Sequence, residues 1–208
     1  MLKPLHTEIC QRALGSYFSP YSLHTIIAAN LAQDGLRGQV GHPEFHFDDN
    51  AFEASYTYME SQRQIIWNSV SISREFEPAW KAFGRLTHTA QDFYAHSNYI
   101  ILWVNSFHQK ELPPPDKVEA LQSKFSSHPE LCSGKIYLWD WLAFIPGLHR
   151  LALPILPPDS HTHMYLDSPS QGPLFSYALE AACKRTVFEF EQITKRFEAS
   201  DIRKFTDR

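Results

Sequence analysis

The chain has 208 residues, 43% of them hydrophobic and 20% charged, which suits one sizeable core and is too few for two generous domains. A net charge of −4 without any long Lys/Arg run argues against a nucleic-acid groove that works by bulk electrostatics. Cys10, Cys132 and Cys183 are isolated, with no CxxC pair, so neither a disulfide framework nor a thiolate zinc site is indicated, and a reducing compartment is expected.

In chain order the pattern is helical almost throughout. The opening MLKPLHTEIC lacks the apolar core of a secretion signal. A first helix is expected over 4–15, with Leu5, Ile9, Ala13 and Leu14 at helical spacing. Ser19-Pro20 supplies an N-cap and a first-turn proline for a second helix, which runs through SLHTIIAANLAQD and stops at Gly35. Residues 36–50 read as a loop. A third helix covers 51–70, and a fourth runs from about Glu77 to Val104. LPPPD at 112–116 breaks the chain and starts a short helix ending near Ser126. The proline-rich stretch 144–173 reads as a long ordered excursion, because its apolar content (FIPGLHRLALPIL) argues against disorder. The last helix spans about Leu174 to Phe197, with Glu180 and Lys184 as an i,i+4 surface pair. The longest apolar run, Tyr99 to Val104, is far too short to cross a bilayer. The expectation is one all-α domain over 1–208, a helical bundle with no transmembrane segment, in the cytoplasm.

Residues 86–104, LTHTAQDFYAHSNYIILWV, carry the chemistry. Only His88, Asp92 and His96 titrate near neutrality there, at i, i+4 and i+8. Each step of four advances about 6 Å and turns about 40°, so the three form one slanting row. The opposite face, Ala79, Phe83, Leu86, Ala90 and Phe93, is apolar and packs. A buried carboxylate between two imidazoles is best satisfied by metal, and the two oxygens of Asp92 suit a bridge between two ions. Imidazole and carboxylate together favour zinc, with iron or manganese as alternatives. The competing reading has the histidines bonding neighbouring helices and Asp92 paired with Arg85 or Arg63. Further donors stand at helix ends and in loops: His6, His24, Asp34, His42, His46, Asp48, His161, His163 and Asp167. Tyr94, Tyr99 and Trp103 are expected in the core, and His24, His42, His108, His128 and His149 are read as structural.

GRLTHTAQDFYAHSNY resembles the signature of Het-C-like proteins, distant relatives of zinc-dependent phospholipase C and the single-strand-specific nucleases. LHTEICQRAL, IIAANLAQD, HFDDNAF and DSHTHMYLDSP resemble further blocks of that family in order. The resemblance implies a bundle with two or three zinc ions. Its ligands would be His6, Asp34, His46, His88, Asp92, His96, His161 and Asp167, with Asp34 or Asp48 orienting or deprotonating water. The chain departs from the secreted enzymes in three ways. It begins Met1-Leu2-Lys3 where they carry a metal-binding N-terminal Trp. The histidine after Asp92 follows more closely. The nearest match to their later HxxxD pair is His163 to Asp167, which competes with His161; His161 is preferred.

The function implied is metal-dependent hydrolysis of a phosphoester such as a phospholipid headgroup or a nucleotide. The alternative from another class is a non-catalytic, metal-stabilised recognition module of the Het-C type. A di-iron oxidase ranks last, because such sites want paired ExxH motifs and the chain has none.

Overall fold

The computed structural model describes residues 1–107, 111–137, 140 and 153–208. The expectations for His108, for His149 and for residues 144–152 at the start of the excursion fall outside that set. The described residues are all-α, as the periodicity predicts. They contain no strand, only isolated bridges from Ser97 to Ser133 and from Lys135 to Ser160.

Helix α1 covers Lys3–Leu14 and α2 covers Pro20–Ala32. The Ser19 side chain caps α2 by accepting from the Ser22 amide, as the Ser-Pro pair predicts. Residues 36–50 are not a plain loop. They hold two single turns, α3 (Leu36–Gln39) and α4 (Pro43–His46), the second begun by Pro43 at its first position. Helix α5 spans Phe52–Trp67 and runs on into a π-helical turn, Asn68–Ser73.

Helix α6, Phe76–His96, lies at the centre and packs chiefly against α2, α5 and the long helix Leu174–Thr194. Every residue from Leu86 to Ser97 is buried. Ala79, Phe83, Leu86, Ala90 and Phe93 face the core as expected, each at most 2% exposed.

The predicted continuous helix to Val104 is interrupted at Ser97-Asn98, and α7 begins at Tyr99 and ends at Asn105. The cause is local competition for backbone groups. Ser97 Oγ donates to the Phe93 carbonyl, while Asn98 takes the Cys132 amide on its oxygen and donates to the Glu130 carbonyl. Beyond α7 come the short α8 (Ser123–Ser126) and α9 (His161–Met164), then α10 (Leu174–Thr194) and α11 (Ala199–Thr206). Helix α11 was not anticipated. It seals one end of the bundle with Phe205, which packs edge-on against Phe18 and Phe83. Glu180 and Lys184 do not pair with each other. Glu180 takes Arg12, and Lys184 donates to the carbonyls of Asp116 and Val118.

Tyr94, Tyr99 and Trp103 lie in the core, at most 1% exposed. No helix among the described residues is long and apolar enough to cross a membrane.

Candidate metal centre

Close approach of α2 and α6 builds the first half of the site. At Gly84 an added Cβ would stand 2.2 Å from the Ile26 carbonyl oxygen, so only glycine lets the two backbones meet there. One turn further along, α2 brings Asn30, and the turn that follows it Asp34, against His88, while α1 brings His6 from the other side.

His6, Asp34, His88 and Asp92 place their donor atoms within 4.8 Å of one another. His88 Nε2 is 3.0 Å from Asp92 Oδ2 and 3.7 Å from Asp34 Oδ1. His6 Nε2 is 3.3 Å from Asp92 Oδ1 and 3.9 Å from Asp34 Oδ2. His46, the last residue of α4, adds its Nδ1 at 2.9 Å from Asp92 Oδ2 and 3.1 Å from His88 Nε2.

The second half is assembled by the loop after α4. Phe47 has a left-handed φ of 58°, unusual for a bulky residue, and its ring is held by Phe52, Tyr56 and Phe93. That bend turns His46 and Asp48 inward on either side of Phe47. Asp48 Oδ1 lies 3.2 Å from His96 Nδ1 and 2.9 Å from His161 Nδ1, forming a second buried trio.

Gly134 ties the segments together. Its amide donates to the His96 carbonyl, its carbonyl accepts from the Asp49 amide, and a Cβ there would meet His161 Cα at 2.6 Å. Asp140 steadies α9 by accepting from both the amide and the hydroxyl of Thr162. His96 reaches the other way with Nε2, to Asp167 Oδ1 at 3.1 Å. The Met1 amino group lies 2.6 Å from Asp92 Oδ1 and 3.0 Å from Asp167 Oδ1.

The eight sequence-predicted ligands, with Asp48, therefore fall into two adjoining groups, one around Asp92 and one around Asp48, joined by His96, whose Nε2 is 3.9 Å from Asp92 Oδ1. His161, not the exposed His163, reaches Asp48. The arginine pairings for Asp92 do not form: Arg85 donates to Gln62, and Arg63 pairs with Glu189 and Glu60. Sequence reasoning missed Asn30, Gln91, Asp140 and the Met1 amine. Amides and a chain-start amine carry no pattern that separates them from structural residues.

The electrostatics follow from burial. Asp34 is pushed above the usual carboxylate range by desolvation and then by the neighbouring Asp92. Burial opposes charge on Asp92, Asp48 and Asp167 too, but nearby cations and imidazoles outweigh it and hold all three below that range. The Met1 amine leads that effect at Asp92 and Asp167, and His161 leads it at Asp48. Desolvation pushes His88 well below its ordinary value, whereas Asp92, ahead of Asp48, overcomes burial and raises His96. The Met1 amine loses basicity to burial but regains more from Asp167 and Asp92, and stands at about 11.

The donor set fits a metal ion. Ligands at 2.0–2.2 Å around a tetrahedral ion stand roughly 3.3 Å apart, close to the separations at His6, His46, His88 and Asp92. Among the described residues, His6 Nε2 and Asp34 Oδ2 are buried without a hydrogen-bond partner, though each faces the cluster. A cavity of about 430 Å³ opens onto both halves, lined by Asp34, His46, Asp48, His96, His161 and Asp167, with Lys3 also on its wall.

A sequence profile of the VWA7 N-terminal domain matches residues 7–135. The von Willebrand factor A domain-containing protein 7 of Rattus norvegicus is 30% identical over 115 residues, covering 53% of this chain and 13% of that much longer protein. No solved structure matches. These findings overturn the resemblance to Het-C-like proteins and to the phospholipase C and nuclease superfamily, and with it the description of the chain as a phospholipase C-like hydrolase. With more than half of its length inside the matched region, the chain belongs to the VWA7 N-terminal domain family.

Proposed function

We propose that this domain holds a pair of metal ions, zinc by donor chemistry, and uses them to activate water against a phosphoester. The observation that carries the reading is the convergence of buried imidazoles and carboxylates beneath an open cavity. A purely structural zinc site is closed by four protein ligands, whereas a reactive one keeps a position open to substrate. Here the trio Asp48, His96 and His161 leaves such a position, and all three line the cavity.

His6, Asp34, His88 and Asp92, with His46 alongside, would hold one ion. Asp48, His96 and His161 would hold the other. Bound there, such ions would supply Lewis acidity to water and to phosphoryl oxygens. The protein's own groups suit the remaining tasks. Asp34, on the cavity wall, is placed to accept a proton there. Asp48, held ionised by His161 and His96, would orient water as a hydrogen-bond acceptor. Lys3 offers a positive charge at the cavity wall for a phosphate oxygen.

The test is metal analysis of the purified protein together with a panel of generic phosphodiesters and phosphomonoesters. The expected result is about two zinc ions per chain, turnover of at least one ester, and loss of that turnover in Asp92→Asn. A metal-free preparation that cannot be loaded with zinc, or an Asp92→Asn variant as active as wild type, overturns the proposal.

A second reading is a metal-stabilised recognition module. It is favoured by the way the clusters draw together α1, α2, α4, α6 and α9, segments far apart in sequence. In that case zinc binds and stabilises, and no ester in the panel turns over.

A further inference from the structure

Beneath the first cluster lies a fully buried chain of hydrogen bonds that the proposed chemistry does not use. It begins at Thr186 on α10. The Thr186 hydroxyl donates to the carbonyl of Ala182, four residues back on its own helix, at 2.8 Å. Its single proton is thereby committed, so towards Gln91 it can only accept, and Gln91 Nε2 lies 3.1 Å away. The Gln91 amide is therefore turned with its oxygen away from Thr186 and towards His6, whose Nδ1 is 2.6 Å from Gln91 Oε1. An oxygen there accepts, so Nδ1 of His6 carries the ring proton. The lone pair of a neutral His6 then sits on Nε2, the atom that faces Asp34 and Asp92 and lacks a hydrogen-bond partner among the described residues.

The same logic repeats on α2 and α6. The Thr87 hydroxyl donates to the Gly84 carbonyl at 3.0 Å and so accepts from Asn30 Nδ2 at 3.3 Å. The Asn30 amide group also donates to Gln91 Oε1 at 3.2 Å, which agrees with the orientation already derived for Gln91. Asn30 Oδ1 is left facing His88 Nδ1 at 3.4 Å. His88 therefore also carries its proton on Nδ1 and presents Nε2 to Asp92. Asn30, Thr87, Gln91 and Thr186 are all 0% exposed, so no solvent competes for these bonds.

We propose that Thr186–Gln91 and Thr87–Asn30 are a paired relay that fixes the tautomers of His6 and His88, making the Nε2 atom of each the metal donor. The relay deepens the metal reading and rests on it for its purpose. The four residues are positioning residues and touch no substrate. Outer partners of this kind orient the imidazole and raise its basicity, and their loss characteristically lowers metal affinity about 10–100-fold. The reversed relay, with both amides flipped, would protonate Nε2 of each ring. It would require both threonine hydroxyls to abandon the carbonyls of their own helices.

The decisive measurement is long-range ¹H–¹⁵N correlation on metal-free protein labelled with [¹⁵N]histidine, followed by zinc titration of wild type, Thr186→Val and Thr186→Ser. Thr186 contacts neither imidazole, so its variants remove no ligand. The expected spectrum shows His6 and His88 protonated at Nδ1 and bare at Nε2. Thr186→Val should scramble the His6 signature and weaken zinc binding at least about tenfold, while Thr186→Ser restores both. Protonation at Nε2 of His6 in wild type overturns the relay, and this needs no variant to fold. Equal zinc affinity in Thr186→Val with an unchanged His6 signature overturns it as well. If wild type shows the Nδ1–H forms and takes up no zinc, the metal role fails for relay and centre together while the hydrogen-bond directions stand. If zinc binds but the tautomers are reversed, the relay fails alone.

Discussion

Asp34 is the residue whose position makes least sense in a metal-free protein. It shares a desolvated cluster with Asp92, and burial and that second carboxylate both push its pKa upward. A carboxyl whose folded-state pKa is raised costs stability once it ionises, and the cost disappears as pH falls through the raised value. Metal-free Asp34→Asn should accordingly be more stable than metal-free wild type at neutral pH, by roughly 1 kcal/mol. The difference should begin to shrink above the ordinary carboxylate range, where folded wild-type Asp34 takes up its own proton, and should be gone once pH falls below that range. The same substitution should weaken zinc binding, so the two preparations exchange rank in thermal melts when zinc is added. Melts of both proteins at neutral and acid pH, with and without zinc, check this; unchanged rank on adding zinc would count against Asp34 as a ligand. The neighbouring His88 also explains why a cation other than a proton is wanted here. Burial pushes its proton affinity well down, so the positive charge that two carboxylates call for does not come from that ring.

Among the elements, α6 carries the site and α2 sets its width. Their contact depends on Gly84, where a methyl group would strike the Ile26 carbonyl oxygen and approach Ala29 Cβ at 2.9 Å. Gly84→Ala gains helix propensity yet forces the helices apart, and overpacking of this kind costs about 1–3 kcal/mol. Chemical denaturation should show a lowered midpoint. A zinc titration of the still-folded variant should show weaker binding, because Asn30 and Asp34 retreat from His88 with α2. Retained affinity would mean that the α2–α6 distance does not govern the site. The break between α6 and α7 has a comparable role. Without the Ser97-Asn98 turn the helix would continue past His96, and the strand-like bridge to Ser133 that carries Gly134 into contact with His96 and His161 would have no place to form.

For the whole molecule, the candidate centre draws together segments that are far apart in the chain. His6, Asp34, His46, Asp92 and His161 come from five separate stretches of chain, so an ion bound to the folded state and not to the unfolded chain adds directly to stability. Zinc at a hundred times its dissociation constant should contribute about 2.7 kcal/mol, visible as a raised melting midpoint that a chelator reverses and that Asp92→Asn lacks. Identical melts with and without zinc would remove the coupling between centre and fold. Much of this architecture could be read from residues in order. Apolar spacing marked the helices, Ser19-Pro20 marked the start of α2, and the scarcity of charge between Leu86 and Val104 marked the buried centre with its row of His88, Asp92 and His96. Those features are local, since period, capping and composition act within a few turns. What lay beyond reach was set by contacts between distant segments. The left-handed bend at Phe47 exists because aromatic neighbours hold its ring, and α11 exists because Phe205 finds Phe18 and Phe83. The directions of Gln91 and Asn30 depend on which hydroxyls stand opposite them. An amide on a helix has no preferred orientation of its own, so only packing could decide which nitrogen of each histidine faces the cluster.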